Sequence, residues 1–318
     1  MPPASDTLSP VEGWLALPAF AKINLSLELL GRRPDGYWEI RTVYQTLTLH
    51  DRLRLRLTRR PREVVVHVPG GGAPPGPANL VHRLLRRARR ALNIRHGVEV
   101  ELEKNIPAGR GLGGGSSDAA AALVGLLRLT HTRLSPEELS RLGAPVGADL
   151  PFFFVGGRAL GVGRGEQVCP LDDAQPTHCL LVCPPYPIAT RAAYGWAGAR
   201  TGKPPAWRLT PSRRAAIIAH SRFPPDELWG TGNDFEPVVF SRFPELARMK
   251  AGLFRAGARQ AGLSGSGSTI YAFFSHRPAA QRAAARWARA ATLFAVDTLP
   301  RPPYQRLVGV GEIVREET

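Results

Sequence analysis

Residues 107–122 read P-A-G-R-G-L-G-G-G-S-S-D-A-A-A-A, and this stretch restricts the possible folds more than any other. Five glycines (Gly109, Gly111, Gly113, Gly114 and Gly115) fall within seven positions. Ahead of them, Val98, Val100 and Leu102 alternate with Glu99, Glu101 and Glu103, the period of a half-buried strand. Behind them, Ala119 to Leu129 is a strong helix former and apolar nearly all round, which predicts a buried helix. The order is strand, glycine loop, helix N-terminus. Free N–H groups and the positive end of the helix dipole make such a junction a ready anion site. Glycine lets the main chain approach phosphate oxygens and adopt positive φ without a Cβ penalty. The expectation is a phosphate cradle; the competing reading is a plain connection with Ser116 or Ser117 as an N-cap.

Several phosphate-binding classes are excluded by what the loop lacks. There is no Lys in it, so it is not a G-x-x-x-x-G-K-[ST] loop. Gly109, Gly111 and Gly114 satisfy G-x-G-x-x-G, but no acidic residue lies between Leu129 and Leu134 to hold a ribose. The H-R-D and D-F-G signatures of protein kinases are missing.

At 318 residues the chain is long enough for two domains. No apolar run reaches 18 residues, so no membrane span is expected, and the first dozen residues carry no apolar core of a secretory signal. Cys169, Cys179 and Cys183 lack C-x-x-C spacing, which fits reduced thiols in a cytoplasm and argues against a zinc site. The net charge of +16 raises the question of nucleic acid. Yet the arginines are scattered apart from Arg83, Arg86, Arg87, Arg89 and Arg90, which read as the polar face of one helix, and an anionic small molecule is favoured.

Along the chain, residues 1–13 read as a loose tail. From Trp14 a strand follows in which Ile23, Leu25, Leu27 and Leu29 face one way and Lys22, Asn24, Ser26 and Glu28 the other. Same-face neighbours lie about 7 Å apart, so Lys22 and Asn24 can serve one site. Lysine is scarce here (Lys22, Lys104, Lys203 and Lys250), so a Lys within an apolar strand suggests chemistry that wants a compact ammonium, against an edge-strand gatekeeper. The turn at Arg33-Pro34-Asp35-Gly36 presents Tyr37 and Trp38, either as a stacking platform or as rim packing. Strands are expected at Ile40–Leu49, around Leu53–Leu57 and at Val64–Val68, with Asn79 capping the Arg-faced helix. Ser135 to Glu138 forms a capping box. Asp149, wedged against Leu150-Pro151 and three phenylalanines, is costly unless paired or used, and would suit an ion pair with Lys22; the alternative is a turn cap. A first domain is expected to end at 165, after a strand at Arg158–Val162. Beyond it come a strand at Cys179–Val182, a short helix at Thr190–Trp196 carrying Tyr194, and a poorly patterned stretch at 199–228. A helix near 244–258, a second glycine loop at 262–268, a strand at 269–274, a helix at 278–291 and a strand at 293–298 follow. The domains read as 14–165 and 166–300, with 301–318 a tail.

These blocks together resemble the GHMP small-molecule kinases. P-A-G-R-G-L-G-G-G-S-S-D-A-A-A is similar to their second motif, A-K-I-N-L at 21–25 to the first and L-S-G-S-G-S at 263–268 to the third. R-P-D-G-Y, R-T-V-Y-Q-T-L, G-A-D-L-P-F-F and N-D-F-E-P resemble the branch acting on a cytidine diphosphate-linked methylerythritol. The resemblance covers roughly residues 18 to 300. It implies a two-domain α+β/α/β GHMP kinase fold, with an N-terminal half like ribosomal protein S5 domain 2 and a ferredoxin-like C-terminal half. It implies ATP and Mg²⁺ as cofactors and phosphorylation of the erythritol 2-hydroxyl in the non-mevalonate isoprenoid pathway. On this resemblance Lys22 and Asp149 are the catalytic pair. The ATP loop is Pro107, Ala108, Gly109, Arg110, Gly111, Leu112, Gly113, Gly114, Gly115, Ser116 and Ser117, with Asn79 and Lys104 on the adenine side. Tyr37 and Tyr194 would sandwich the cytosine and Asn24 would line the substrate site. Trp38 stands where the family usually has a His that reads the base; indole has a donor and no acceptor. No nucleic acid or membrane partner is implied, and the chain is expected to act as a cytoplasmic monomer or weak homodimer. Three alternatives stay open: another GHMP kinase with a different alcohol substrate, a basic S5-like RNA-binding protein, and a catalytically dead relative.

Overall fold

The computed structural model describes residues 13–61, 63–201 and 232–315, so most of the poorly patterned stretch and nearly all of the expected N-terminal tail lie outside the described residues. Two sheets carry the architecture. The first is built on β2 (Trp38–Thr58), a strand of 21 residues. The sequence reads it as two strands because His50 and Asp51 interrupt the alternation, but the backbone runs straight through them. On one side β2 pairs antiparallel with β1 (Leu15–Arg32); on the other it pairs with β4 (Gly97–Glu103) through 52–58 and with β5 (Arg158–Gly163) through 40–45. β3 (Val64–His67) adds in parallel to β4, and β6 (Gln167–Pro170) adds antiparallel to β5.

Two helices cover one face of this sheet. In α1 (Leu80–Ala91), capped by the Asn79 side chain, Val81, Leu84, Leu85 and Ala88 are buried. Arg83, Arg86, Arg87 and Arg90 point to solvent as expected, but Arg89 does not. It is buried and donates to the carbonyls of Glu63, Ile94 and Arg95, satisfying the chain that leaves the helix. The glycine-led helix α2 (Gly114–Leu129) is buried from Ser117 to Leu127, matching its all-round apolar sequence. It starts earlier than the serines suggest. Gly113 is the N-cap, in the left-handed conformation with no side-chain cap bond, so Ser116 and Ser117 lie in the first turn. The capping box of α3 (Pro136–Gly143) forms with both reciprocal bonds.

The second sheet follows the order β-α-β-β-α-β. Its strands are β7 (His178–Cys183), β8 (Gln260–Leu263), β9 (Ile270–Phe274) and β10 (Thr292–Asp297), all antiparallel in the spatial order β10-β7-β9-β8. That 4-1-3-2 order is the ferredoxin-like arrangement. Helices α4 (Thr190–Thr201), α5 (Glu236–Arg242), α6 (Pro244–Arg255) and α7 (Arg277–Ala285) accompany it. The two sheets share a core: Ile23, Leu25, Val43 and Leu47 of the first pack with Cys179, Leu181, Tyr271 and Phe273 of the second.

Two expected boundaries fail against this topology. β6 lies beyond 165 yet completes the first sheet. Residues 301–315 are no tail: α8 (Arg301–Val308) returns to the first domain, where Tyr304, Val308, Val310 and Ile313 join its core. The Tyr304 hydroxyl donates to the Phe153 carbonyl at 2.6 Å. The amphipathic spacing of Tyr304, Val308 and Ile313 is too short to show from sequence which domain receives it.

Candidate active site

The strand position of Lys22 decides its surroundings. Its backbone N–H donates to the Leu112 carbonyl at 3.0 Å, tying β1 to the glycine loop. Its ammonium is buried, 3.1 Å from the Asp149 carboxylate and 2.7 Å from the Asn24 side-chain oxygen that accepts from it. The pairing expected between residues far apart in sequence is present. A gatekeeper would hold its ammonium in water, and this one does not. Nor does Asp149 cap the short turn Leu150–Phe154, where no side-chain cap bond forms. Its second oxygen instead accepts from the Tyr44 hydroxyl at 3.1 Å. Burial, with the Asp149 charge beside it, holds that phenol well above its usual range, so Tyr44 remains a donor at any ordinary pH. Asn24 is fixed in turn: its amide donates to the Thr42 hydroxyl at 2.7 Å, which donates to the Ser26 carbonyl at 2.6 Å. Tyr44 and Thr42 belong to R-T-V-Y-Q-T-L, and sequence reasoning gave them no role. The available signal was their alternation on one strand face, opposite Val43.

The glycine loop is held from both domains. Gly109, Gly111 and Gly113 all take positive φ, of 66°, 79° and 70°. At Gly111 a Cβ would sit 2.0 Å from the Ser264 carbonyl oxygen, and at Gly113 it would press on the Lys22 stem at 2.9 Å. Ser264, in the second glycine loop, donates its hydroxyl to the Gly111 carbonyl at 2.9 Å. Asn233 pins that second loop by donating to the carbonyls of Leu263 and Gly265 at 2.8 and 2.7 Å. Its neighbour Asp234 accepts from the Leu29 N–H on β1 at 2.8 Å. N-D-F-E-P is thus a clasp between the domains. The first, second and third motif blocks meet in one place, beside a helix N-terminus with no side-chain cap. That combination of glycine-lined backbone and uncapped helix fits the phosphates of a nucleotide.

Other expected site residues have occupations of their own. Lys104 lies under the first turn of α2, its ammonium between the buried carboxylates of Asp51 and Asp118. The Asn79 oxygen accepts from the Val81 N–H and its amide donates to the Pro74 carbonyl, so both polar atoms serve the chain around α1. The three aromatics differ in their surroundings, although Trp38 and Tyr194 belong to one apolar cluster. Tyr37 is exposed, with the Arg164 guanidinium 4.9 Å from its ring centre. Tyr194 stands edge-on to Phe235 at 4.8 Å. Burial first, and the Asp149 charge second, raise its hydroxyl above the usual range, which puts it on the Asp149 side of the molecule. Trp38 is only 7% exposed and packs in the core of the second domain with Leu27, Leu29 and Ile40.

Comparison with known proteins agrees with this geometry. The family model described as GHMP kinases N terminal domain matches residues 79–157, and that described as GHMP kinases C terminal matches residues 226–292. A 4-diphosphocytidyl-2-C-methyl-D-erythritol kinase of Pelotomaculum thermopropionicum is 40% identical over 272 residues, covering 85% of this chain and 93% of the relative. A kinase of the same name from Moorella thermoacetica is 38% identical, with 86% and 94% coverage. Among solved structures, a 4-(cytidine 5'-diphospho)-2C-methyl-D-erythritol kinase superposes with a TM-score of 0.71 at 31% identity, over 89% of this chain and 99% of that one. A homoserine kinase from Cytophaga hutchinsonii, at TM-score 0.69 and 19% identity over 92% and 97% of the two chains, shares the fold.

Proposed function

This chain belongs to the GHMP kinases, in the branch of the 4-diphosphocytidyl-2-C-methyl-D-erythritol kinases, and from that premise we propose how its residues work on that substrate. The reaction is ATP-dependent phosphorylation of the 2-hydroxyl of 4-diphosphocytidyl-2-C-methyl-D-erythritol, in the non-mevalonate isoprenoid pathway. The observation that carries the reading is the ion pair between the buried Lys22 ammonium and the part-exposed Asp149 carboxylate, held next to the glycine loop.

Phosphoryl transfer asks a protein for in-line positioning and charge stabilisation more than for covalent chemistry. The main chain from Pro107 to Ser117 and the α2 N-terminus hold the nucleotide phosphates. When bound together with the nucleotide, Mg²⁺ would supply neutralisation of the charge that builds up during transfer. Asp149 accepts or orients the proton of the attacking hydroxyl, aimed by Lys22 on one oxygen and Tyr44 on the other. Lys22 also offers its charge to the transferring group. Asn24 keeps the ammonium in register. Tyr37 and Tyr194 contribute to holding the cytosine. Asn79 and Lys104, whose polar atoms are engaged within the protein, support the adenine side by shaping α1 and the start of α2. A cytoplasmic setting goes with this reading; it is supported by three free thiols.

Lys22→Ala and Asp149→Asn should each lower kcat about 10²–10⁴-fold with the KM for ATP within a few-fold of wild type. Near-normal turnover in both variants, measured with the cytidyl substrate in an ATP-coupled assay, would remove the assignment. A second reading, a GHMP kinase acting on a different alcohol, is favoured by Trp38, which is buried and has no acceptor to offer a base. The cytidyl substrate assayed beside its uridyl analogue and a panel of polyols decides between them.

A further inference from the structure

Arg110 is the one side chain in the glycine loop long enough to reach out of it, and the loop is fixed on either side of it. Its carbonyl accepts from the Thr269 N–H at 3.3 Å, and a Cβ on Gly109 would lie 3.1 Å from Pro187. Arg110 therefore sits in the seam where the phosphate loop meets the second domain. Two of its guanidinium nitrogens, Nε and Nη1, are buried and have no hydrogen-bond partner. Its charge reaches Cys183, a thiol that burial pushes up to about 11 against the Thr269 hydroxyl and Arg110, which both draw it down. Arg301 likewise leaves its buried Nε without a partner, but it and Arg89 direct their terminal nitrogens at main-chain carbonyls, which the Arg110 Nη1 does not. A guanidinium has five donors, no acceptor and no means of losing its charge, so burial without partners is unfavourable to the free protein. A cost of that kind, placed in a loop built for anions, points to a ligand.

We propose that the Arg110 side chain binds a diphosphate, its planar fork taking two oxygens that the glycine backbone leaves unpaired. This rests on the kinase reading above and extends it from the main chain of the loop to a side chain. Two diphosphates enter the reaction, that of the nucleotide and that of the cytidyl substrate, and both present the same chemistry to a fork of N–H groups.

The test uses the full-length protein, with Arg110→Met and Arg110→Lys compared to wild type by calorimetric titration and by thermal melting. The probes are ADP and, separately, 4-diphosphocytidyl-2-C-methyl-D-erythritol. Without ligand, Arg110→Met should melt no lower than wild type, because it removes buried unpaired donors and keeps the stem. One of the two probes should bind it about tenfold more weakly or worse, with a matching loss of ligand-induced Tm shift. Arg110→Lys, a point charge without the fork, should fall between the two. Weakening confined to ADP assigns the nucleotide diphosphate, and weakening confined to the cytidyl probe assigns the substrate diphosphate. The proposal is overturned if both probes bind Arg110→Met within twofold of wild type, or if that variant melts lower while binding is unchanged, which is the mark of a packing role. Asp149→Asn separates the two levels: retained binding with lost turnover keeps the kinase reading standing when Arg110 fails. Wild-type protein that binds neither probe removes both.

Discussion

At Lys104 two buried carboxylates share one ammonium, and their proton balance is set by that geometry. The side chains of Lys104, Asp51 and Asp118 are 8%, 0% and 2% exposed. Asp51 also accepts from the N–H groups of Asn105 and Ile106. Asp118 lacks such donors. Burial holds its carboxyl well above the usual range, Lys104 pulling it down and Asp51 pushing it back up. Burial opposes the Lys104 charge, but the two carboxylates outweigh it and keep the ammonium above its ordinary value. For stability the sign is fixed. An unfolded Asp loses its proton near pH 4, whereas folded Asp118 keeps it, so the native state binds more protons and loses stability as pH rises toward the raised value. Asp118→Asn should therefore gain on wild type as pH climbs from about 4. Urea midpoints measured at pH 4, 6 and 8 should show the difference narrowing or changing sign; parallel pH curves for the two proteins would contradict the reading.

The glycine loop and α2 act as one element. Its three left-handed glycines are not equivalent to the helical ones behind them. Gly111 has both positive φ and no room, with the Ser264 carbonyl where a Cβ would go, whereas a Cβ on Gly115 would meet only Leu80 at 3.5 Å. Left-handed strain alone costs about 1–3 kcal/mol, and collision with backbone adds to it. Gly111→Ala should lower stability by several kcal/mol or yield little folded protein, while Gly115→Ala should fold with stability within about 1 kcal/mol of wild type. Denaturant midpoints check both, and equal midpoints would mean that the seam between the two glycine loops gives way more easily than its contacts suggest. The same close approach explains why Ser264 and Asn233 matter to a site they do not enter. They hold the wall on which the first glycine loop rests.

At the scale of the molecule, the last described residues return to the domain that the first described ones build. β10 completes the second sheet, Leu299 donates its backbone N–H to the Thr46 carbonyl of β2, and α8 closes over the first core. Each large apolar side chain buried in this way contributes about 1.5–3 kcal/mol, against a total stability of about 5–15 kcal/mol for a typical domain. Removal of residues 301–318 takes away Tyr304, Val308, Val310 and Ile313 and should abolish cooperative folding of the first domain. A far-UV circular dichroism melt would show a lost or strongly lowered transition; an unchanged melt would make the segment the tail that its sequence resembles.

Local chemistry is legible in the sequence alone. The order of strand, glycine loop and apolar helix, the capping box at Ser135, the Asn79 cap and the isolated Lys22 each follow from spacing and residue type within a few positions, because backbone conformation and side-chain periodicity are short-range properties. The start of α2 at Gly114, ahead of the serines, did not follow, since an uncapped helix N-terminus leaves no mark in the residues that precede it. Nor did the continuity of β2, the return of α8, the burial of Trp38 and Arg89, or the partners of Asp149 beyond Lys22. Those depend on which faces meet across more than a hundred residues of chain, and burial and electrostatics are decided only when the two sheets pack.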